Sequence, residues 1–379
     1  MANSGQIHAF FSHLVSTLGR ARHVHVVAVA HMVPNTLSFA PALNELTSLV
    51  AILAKPKSIS RPEHKQLAAA FRVLPLSREW GSSSSEVVKT LSELGLNGKQ
   101  VVLVDIGGYF ANSIDAIASE FNGEILGVLE GTENGAKRYE ERGPFQTLIA
   151  TVARSPLKLP EDYLVASSVV FSVEATLREE AEILQTRSAA VIGYGRVGSA
   201  VAEILRNRGI NTVVFDHDPI KLAGAAARGF RAYGRLVDAL SCSSLVVCAT
   251  GNRAVDVKGF AMLKPGCVVA SVTSADDEFD LDSLSPGYVK TKLSEGLTQY
   301  QENRGMNLGR SFYLVADGNA ANFLHGAVIG PAMQLIEGEK LAAIKAIIDR
   351  RLAPSVDGIS EVLPKDRRLV AEIWNSHFL

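Results

Sequence analysis

A glycine cluster in the middle of the chain has the residue types and spacing that accommodate a pyrophosphate. It reads Gly-Tyr-Gly-Arg-Val-Gly over 193–198, follows the apolar run "AAVI" and opens an amphipathic stretch. The first glycine permits a tight turn, the second lets a phosphate approach the backbone, and the third lets helix and strand pack closely. The amide groups and dipole of a helix opening here favour an anion. We therefore assign dinucleotide binding to Gly193, Gly195, Arg196, Val197 and Gly198.

An acid follows at the distance that ribose recognition requires. Asp216 ends the strand candidate "NTVVFD", eighteen residues after Gly198. A carboxylate there accepts hydrogen bonds from both ribose hydroxyls and repels a 2′-phosphate, so NAD is predicted over NADP. The nearby cations His217 and Lys221 keep NADP open, and a Rossmann-like domain with a differently used site is the structural alternative.

The segment "VVCATGN" adds a second turn beside the cofactor. In doubly wound domains the turn after the fourth strand passes close to the dinucleotide, and small residues permit that approach. Thr250, Gly251 and Asn252 are assigned to cofactor binding on this basis. An ordinary tight turn is the alternative.

Three titratable residues lie at strand ends in the first half. His31 directly follows the run "HVHVVAVA", and Asp105 and Glu130 end the runs "QVVLVD" and "GEILGVLE". Ligands of parallel sheets gather at such ends, so all three are catalytic candidates. Each also has a structural interpretation: a packed imidazole, a partner for the glycine turn, and a helix cap.

The whole chain suggests two α/β domains. Its 379 residues exceed one comfortable core, and strand–turn–helix patterns recur in both halves. We predict two doubly wound parallel-sheet domains, the second a Rossmann domain of five or six strands. The run "FAPALNELTSLVAIL" has helical periodicity, and so does the stretch 337–352.

Composition excludes several classes of partner. The net charge of −1 gives no footprint for nucleic acid or an anionic membrane, and no run approaches a membrane span. The three cysteines match neither a zinc site nor a disulfide framework, so no metal is predicted. The N-terminus does not resemble a signal peptide, and we expect a cytoplasmic protein.

Together these segments resemble the adenosylhomocysteinase family. The likeness runs through "VIGYGRVGSAVAEILRNRG", "DHDPI", "ATGN", "DEFDLDSL" and "YLVADGNAANF", and more faintly through "AHM", "DIGGY" and "EGTENG". The resemblance implies that Asn322 binds the nicotinamide carboxamide. It also implies a substrate domain over 1–175 that is completed by 331–352, an NAD domain over 176–330 and a tail over 353–379.

The family's chemistry is a transient oxidation at the 3′-carbon of a nucleoside, which allows elimination at the neighbouring carbon. In its pattern, the second of two aspartates becomes Ile106 and the second of two glutamates becomes Gly131. Three threonines become Thr132, Glu133 and Asn134, and we assign Thr132 and Asn134 to the cofactor.

Other family positions have changed as well. Phe171 and Ala175 stand where the family has a lysine and an aspartate, and Ser274 stands where it has a histidine. The resemblance places His31 near C5′ of the sugar. His325 lies close to the expected nicotinamide contact, so we add it to the catalytic candidates.

Three functions remain open from the sequence. The first is a diverged NAD-dependent enzyme that oxidises a nucleoside and catalyses elimination or dehydration. The second is a true S-adenosylhomocysteine hydrolase with a relocated base such as Lys137, and the third is an inactive NAD-binding regulator. The resemblance implies a homodimer or homotetramer. Because the chain stops at Leu379, short of the family's terminal reach into a neighbouring subunit, exchangeable NAD is expected.

Overall fold

The computed structural model describes the chain except residues 1–3, 254, 274–277, 285–286, 305–306, 328 and 353–357, and gives only the backbone at 304, 307 and 308. Its helices are α1 (Ser4–Leu18), α2 (Thr36–Leu46), α3 (Arg61–Ala70), α4 (Arg78–Ser82), α5 (Ser84–Glu93), α6 (Ile114–Glu120), α7 (Glu133–Arg142), α8 (Leu159–Glu179), α9 (Arg196–Asn207), α10 (Pro219–Ala227), α11 (Leu236–Cys242), α12 (Val257–Ala261), α13 (Ala332–Ile348) and α14 (Pro364–Phe378).

The strands form two sheets. They are β1 (His25–Met32), β2 (Ser48–Ile59), β3 (Val73–Pro75), β4 (Gln100–Asp105), β5 (Glu124–Glu130), β6 (Ile149–Thr151), β7 (Ala189–Ile192), β8 (Thr212–Phe215), β9 (Arg231–Tyr233), β10 (Leu245–Cys248), β11 (Cys267–Ser271), β12 (Tyr288–Lys292), β13 (Leu297–Arg304), β14 (Asn307–Val315) and β15 (Ser360–Glu361).

The contacts divide the chain into two compact units. The first unit comprises Met1–Glu161 and Gly330–Leu379, and the second comprises Asp162–Ile329. The first division falls inside α8, so most of that helix belongs to the second unit. The segment 364–378, which was assigned to the tail, forms α14 and packs on α1 and α13 within the first unit.

The first unit is a seven-stranded parallel sheet in the order β15-β6-β5-β4-β1-β2-β3. Its central strands are apolar on both sides because helices cover both faces. α13 packs directly on β5: a Cβ at Gly127 would lie 3.2 Å from Ile347 Cγ2. This packing explains how a late helix covers a sheet of which six strands lie within the first 151 residues.

One helix prediction in this unit is wrong. The run that starts at Phe39 is helical only to Leu46, and β2 begins at Ser48. The segment pairs with both β1 and β3. The short apolar run 49–53 satisfies helical and buried-strand patterns alike, and the neighbouring strands with which it pairs decide between them.

The second unit is an eight-stranded sheet in the order β12-β13-β14-β11-β10-β7-β8-β9. The strands from β14 to β9 are parallel, while β12 and β13 add an antiparallel hairpin at one edge. The predicted α/β class is confirmed. The predicted strand number is too low because β9 is short and the hairpin is polar. Among the described residues no helix is long and apolar enough to cross a bilayer.

Candidate functional site

The glycine loop between β7 and α9 has a geometry that excludes larger residues at two positions. Gly193 has φ +97°, and a Cβ there would lie 2.7 Å from the Ala249 oxygen. A Cβ at Gly198 would lie 1.9 Å from the Gly193 oxygen. A Cβ at Gly195 would have no heavy atom within 4 Å. The loop is therefore closely packed at Gly193 and Gly198 and open at Gly195.

α9 starts directly at this opening. Gly195 is its N-cap residue, and no described side chain caps the helix. The first turn, which begins with Arg196 and Val197, aims its amide groups toward the loop, where helix ends bind anions. Asp162 lies 3.8 Å from the Arg196 guanidinium. The arrangement fits a pyrophosphate on the helix terminus.

Asp216 ties the glycine loop to the end of β8. Its carboxylate is almost fully buried and accepts hydrogen bonds from the Tyr194 amide at 2.7 Å and the Asp218 amide at 2.9 Å. Lys221 Nζ lies 3.8 Å from it. Asp216 therefore lies beside the glycine loop, as predicted, and its hydrogen bond with the Tyr194 amide fixes the loop. Its binding of the ribose hydroxyls stays a prediction.

A buried carboxylate that the sequence analysis did not single out holds the turn after β10. Glu278 accepts hydrogen bonds from the Thr250 amide (2.9 Å) and hydroxyl (2.8 Å), and from the Gly251 amide (2.6 Å). The Thr273 hydroxyl donates a further bond at 2.8 Å. Burial raises the pKa of Glu278, and these hydrogen bonds oppose the rise. Asn252 follows, with its amide bonded to the Thr250 hydroxyl.

Asn322 carries an unsatisfied acceptor at the same edge of the second sheet. It follows Ala320, which forms a bridge with Ser271 at the end of β11. Asn322 is buried, and within the described chain its Oδ1 has no hydrogen-bond partner. A buried polar atom of this kind calls for a ligand or water. A carboxamide N–H₂ group, such as that of nicotinamide, would satisfy it.

His325 lies in the same 3₁₀ turn as Asn322. Its Nδ1 is 2.9 Å from the hydroxyl of Ser172, which is fully buried in α8. The Phe171 ring contacts the imidazole edge to face, with the two ring centroids 5.2 Å apart. Phe171, which the resemblance places at the family's lysine position, therefore contacts His325. Its catalytic role stays a prediction.

The residues of the second unit fit NAD. The glycine loop, the uncapped helix terminus, the acid at β8 and the orphaned Asn322 oxygen lie beyond the carboxyl ends of neighbouring parallel strands. Such edges bind dinucleotides in open α/β sheets.

In the first unit, Glu130 is a buried anchor for the glycine turn after β4. It accepts hydrogen bonds from the amides of Gly107 at 3.0 Å and Gly108 at 2.8 Å, and from the Thr132 hydroxyl at 2.7 Å. Burial, followed by the neighbouring Asp105 carboxyl, raises the pKa of Glu130 to about 7. With no exposed surface, this carboxyl positions the turn.

Asp105, at the end of β4, is likewise a buried acceptor of hydrogen bonds. Its carboxyl accepts from the Phe110 amide at 3.1 Å and from the Tyr139 hydroxyl at 2.8 Å. Burial raises its pKa, and the two hydrogen bonds oppose the rise. Both acids thus make structural contacts, but not the ones expected: Glu130, and not Asp105, holds the glycine amides, and Thr132, and not Glu130, caps α7. Their catalytic roles stay predictions.

Thr132 and Asn134 lie at the start of α7. Thr132 caps that helix by accepting the Gly135 amide at 3.2 Å, and Asn134 is half-buried in the first turn. Both belong to the first unit, and their assignment to the cofactor stays a prediction.

His31 is half-buried near the end of β1. Its Nδ1 lies 2.6 Å from the hydroxyl of Ser58 on β2. Burial, and then the positive charges of Lys55, Lys340 and Lys158, hold the pKa of His31 well below its usual value. The imidazole is therefore neutral at neutral pH, the state that a general base requires.

Lys340 is a half-buried charged residue near this edge that the sequence analysis did not single out. A Cβ at Gly131 would lie 3.3 Å from Lys340 Cε and 3.7 Å from its Nζ. Lys340 thus occupies the space in front of a position where the resembled family has a glutamate. Burial lowers its pKa. The available signal was a pair of charged residues, Glu339 and Lys340, inside an apolar helix.

The remaining family positions are apolar or lie elsewhere. Ile106 is buried in the core of the first unit, and Phe171 is 52% exposed on α8. Lys137 is exposed on α7. Ser274 lies outside the described residues.

The second unit matches a known family of domains. The family model of the S-adenosyl-L-homocysteine hydrolase NAD-binding domain matches residues 163–327. An adenosylhomocysteinase of Saccharolobus solfataricus is 23% identical over 304 residues, covering 79% of this chain and 71% of that protein. An S-inosyl-L-homocysteine hydrolase of Methanopyrus kandleri is 26% identical over 259 residues, covering 65% and 58%.

One solved structure with a similar chain is an NADPH-dependent glyoxylate/hydroxypyruvate reductase of Sinorhizobium meliloti. It has a TM-score of 0.45 at 14% identity, over 88% of this chain and 97% of that chain. The family match over the second unit confirms NAD as the cofactor predicted from the glycine loop.

Proposed function

We infer the function of this chain from one premise: it is a diverged relative of the adenosylhomocysteinases whose cofactor is NAD. We propose that it oxidises the sugar of a nucleoside transiently at the 3′-carbon and catalyses elimination or dehydration at the adjacent carbon. The observation that supports this reading is a site equipped for NAD combined with a first unit in which the positions of the substrate-facing carboxylates are Ile106 and Gly131.

The glycine loop, the start of α9 and Asn322 would hold NAD, which would supply a hydride acceptor for the oxidation and, once reduced, the hydride for the final reduction. The protein must then move protons. We propose that His31, whose Nδ1 lies 2.6 Å from the Ser58 hydroxyl, transfers a proton near C5′ of the sugar. The lowered pKa keeps the imidazole neutral, so it would accept the proton lost from C4′ and then give that proton to the group that leaves C5′, which departs protonated.

Other residues orient the reactants. Asn322 would hold the nicotinamide carboxamide through its unsatisfied Oδ1. His325, bound to Ser172, would take the proton of the 3′-hydroxyl as the hydride leaves. This assignment replaces the family's lysine by a histidine from another part of the chain.

The second candidate is hydrolysis of an S-nucleosyl-homocysteine. It is favoured by the names of the relatives, an adenosylhomocysteinase and an S-inosyl-L-homocysteine hydrolase. The lysine position at Phe171 speaks against an unchanged mechanism.

A mass-spectrometric screen separates these functions. The holoenzyme is incubated with nucleosides, S-adenosylhomocysteine and S-inosylhomocysteine, and the reduced nicotinamide absorbance is followed in parallel. Loss of water or of another C5′ substituent, dependent on NAD, is expected. Release of homocysteine would establish the hydrolase. Bound NAD with no reduction and no product from any compound would contradict both and leave a regulatory role. Protein stripped of NAD is the control.

A further inference from the structure

Lys340, on α13, places its amine at the carboxyl ends of two neighbouring strands. A Cβ at Gly131, the residue that follows β5, would lie 3.3 Å from Lys340 Cε and 3.7 Å from its Nζ. The same point would lie 3.7 Å from the backbone oxygen of Asp105, which ends β4. The absence of a side chain at Gly131 thus leaves room for the amine at the edge where ligands of parallel sheets bind.

The amine has no polar partner within the described part of the chain. No hydrogen bond or ion pair joins Lys340 Nζ to a described residue, and the atom lies 5.6 Å from the centroid of the Phe39 ring. Lys340 is also half-buried, so its amine is not freely solvated. A polar group in this situation calls for a ligand or water.

Charged groups of three elements act on this amine without pairing with it. Glu337 on α13, Glu161 on α8 and Glu130 at the end of β5 attract its positive charge. Lys158, directly before α8, repels it, and burial lowers the pKa of Lys340. The amine carries N–H donors whether or not it is protonated, so its use as a donor requires no excess of positive charge.

His31 borders the same edge of the sheet. It lies in β1, which pairs with β4, and β4 pairs with β5. Neighbouring strands are about 4.8 Å apart, so β1 and β5 are separated by about 10 Å, a distance that a sugar with its substituents can bridge. The positive charge of Lys340 acts on the His31 imidazole. A sugar with C4′ at His31 can therefore present its 3′-oxygen, on the next carbon, to Lys340.

We propose that Lys340 is a catalytic residue that donates a hydrogen bond to the 3′-oxygen of the oxidised sugar. As His31 takes the C4′ proton, the electron pair of the C4′–H bond forms a C3′–C4′ double bond and the carbonyl pair moves onto the 3′-oxygen. Lys340 stabilises the negative charge there. When the carbonyl forms again, the pair becomes a C4′–C5′ double bond and the C5′ substituent leaves with the proton from His31. This step rests on the proposed function, because it requires a 3′-ketone.

Hydrogen exchange at C4′ measures this step separately from the oxidation. The NAD-saturated enzyme is incubated in D₂O with adenosine, inosine, cytidine or uridine. Nicotinamide reduction is followed by absorbance, and deuterium in the recovered nucleoside by mass spectrometry. Because the hydride returned to C3′ comes from the cofactor, the deuterium reports exchange at C4′.

Lys340→Met should separate the two rates. A preplaced donor at a developing oxyanion contributes a factor of about 10²–10³ to a rate. We therefore expect nicotinamide reduction within about threefold of the wild type and C4′ exchange slowed about a hundredfold or more. Rates are compared on the plateau above the acidic limb, where the loss of a charge near His31 does not change the protonation of the imidazole.

Two controls locate the effect at the amine. Lys345→Met, on the same helix, removes a lysine that pairs with Asp349 and should leave both rates unchanged. Lys340→Cys should behave like Lys340→Met, and alkylation with 2-bromoethylamine, which rebuilds the amine, should restore exchange about tenfold or more. Wild-type enzyme alkylated in parallel controls for the native cysteines. If Lys340→Met does not fold, the Lys340→Cys protein before and after alkylation decides.

The outcomes separate this inference from the proposed function. Wild-type exchange in Lys340→Met, equal losses of reduction and exchange, or no recovery after alkylation would overturn the inference and leave the oxidation of the sugar standing. A wild-type enzyme that neither reduces nicotinamide nor exchanges C4′ hydrogen with any of the four nucleosides would contradict the proposed function, and the role of Lys340 would fall with it.

Discussion

A methyl group at Gly195 should weaken NAD binding roughly tenfold to hundredfold while leaving the fold intact. The backbone at Gly195 has φ −78° and ψ −162°, a region open to any residue, and its Cβ would meet no heavy atom within 4 Å. At compatible positions Gly→Ala raises the unfolding free energy by about 0.4–1 kcal/mol. We expect Gly195→Ala to be at least as stable as the wild type without cofactor.

The effect on NAD has the opposite sign. The middle glycine of this loop is where the pyrophosphate approaches the backbone, and a methyl group displaces it. Losing one hydrogen bond to a charged oxygen costs about 1.5–3 kcal/mol, which is roughly a tenfold to hundredfold loss of affinity. Binding is measured by calorimetry and stability by urea unfolding of the cofactor-free protein.

Gly198→Ala is the matched control. Its Cβ would lie 1.9 Å from the Gly193 oxygen, a backbone atom that cannot rotate away. Such overpacking costs typically about 1–3 kcal/mol, so this variant should lose stability. Wild-type NAD affinity in Gly195→Ala, or wild-type stability in Gly198→Ala, would refute the described loop geometry.

Three further predictions concern charged residues. Asp216→Ala should lower the stability of the cofactor-free protein by about 1–3 kcal/mol, because loop amides lose their acceptor, and should lower both NAD affinity and the preference for NAD over NADP. Asp218→Ala, which removes a helix cap, should cost only about 1 kcal/mol of stability. Equal NAD affinity in the two variants would contradict the ribose assignment. His31→Gln should abolish turnover, and in the wild type the acidic limb of kcat/KM should lie below pH 6.5 because the His31 pKa is lowered; a limb at or above that value would exclude this base. Glu337 binds its proton more tightly in the folded state, with a pKa of about 8 against 4.5, so its contribution to stability is complete below pH 4.5 and is lost as pH rises through 8. Relative to Glu337→Gln, wild-type stability should therefore fall by up to about 4 kcal/mol over that range, as measured by urea unfolding at both ends, and a constant difference would contradict the raised pKa.

The NAD site was predictable because its determinants are local. A glycine loop between a strand and a helix, followed by an acid after the next strand, specifies a backbone shape within about 25 residues. The paired glycines and acids of the first unit are equally local, and their positions at strand ends follow from the pattern alone.

The roles of the acids and the position of Lys340 depended on tertiary structure. Whether Glu130 faces a ligand or two backbone amides depends on how β4 and β5 pair, which no local pattern encodes. Lys340 reaches Gly131 only because α13, some 200 residues later in the chain, packs against β5. The sequence by itself thus determined the two α/β sheets and the NAD loop. The tertiary structure decided which charges meet at the end of the first sheet, because that depends on contacts between segments far apart in the chain.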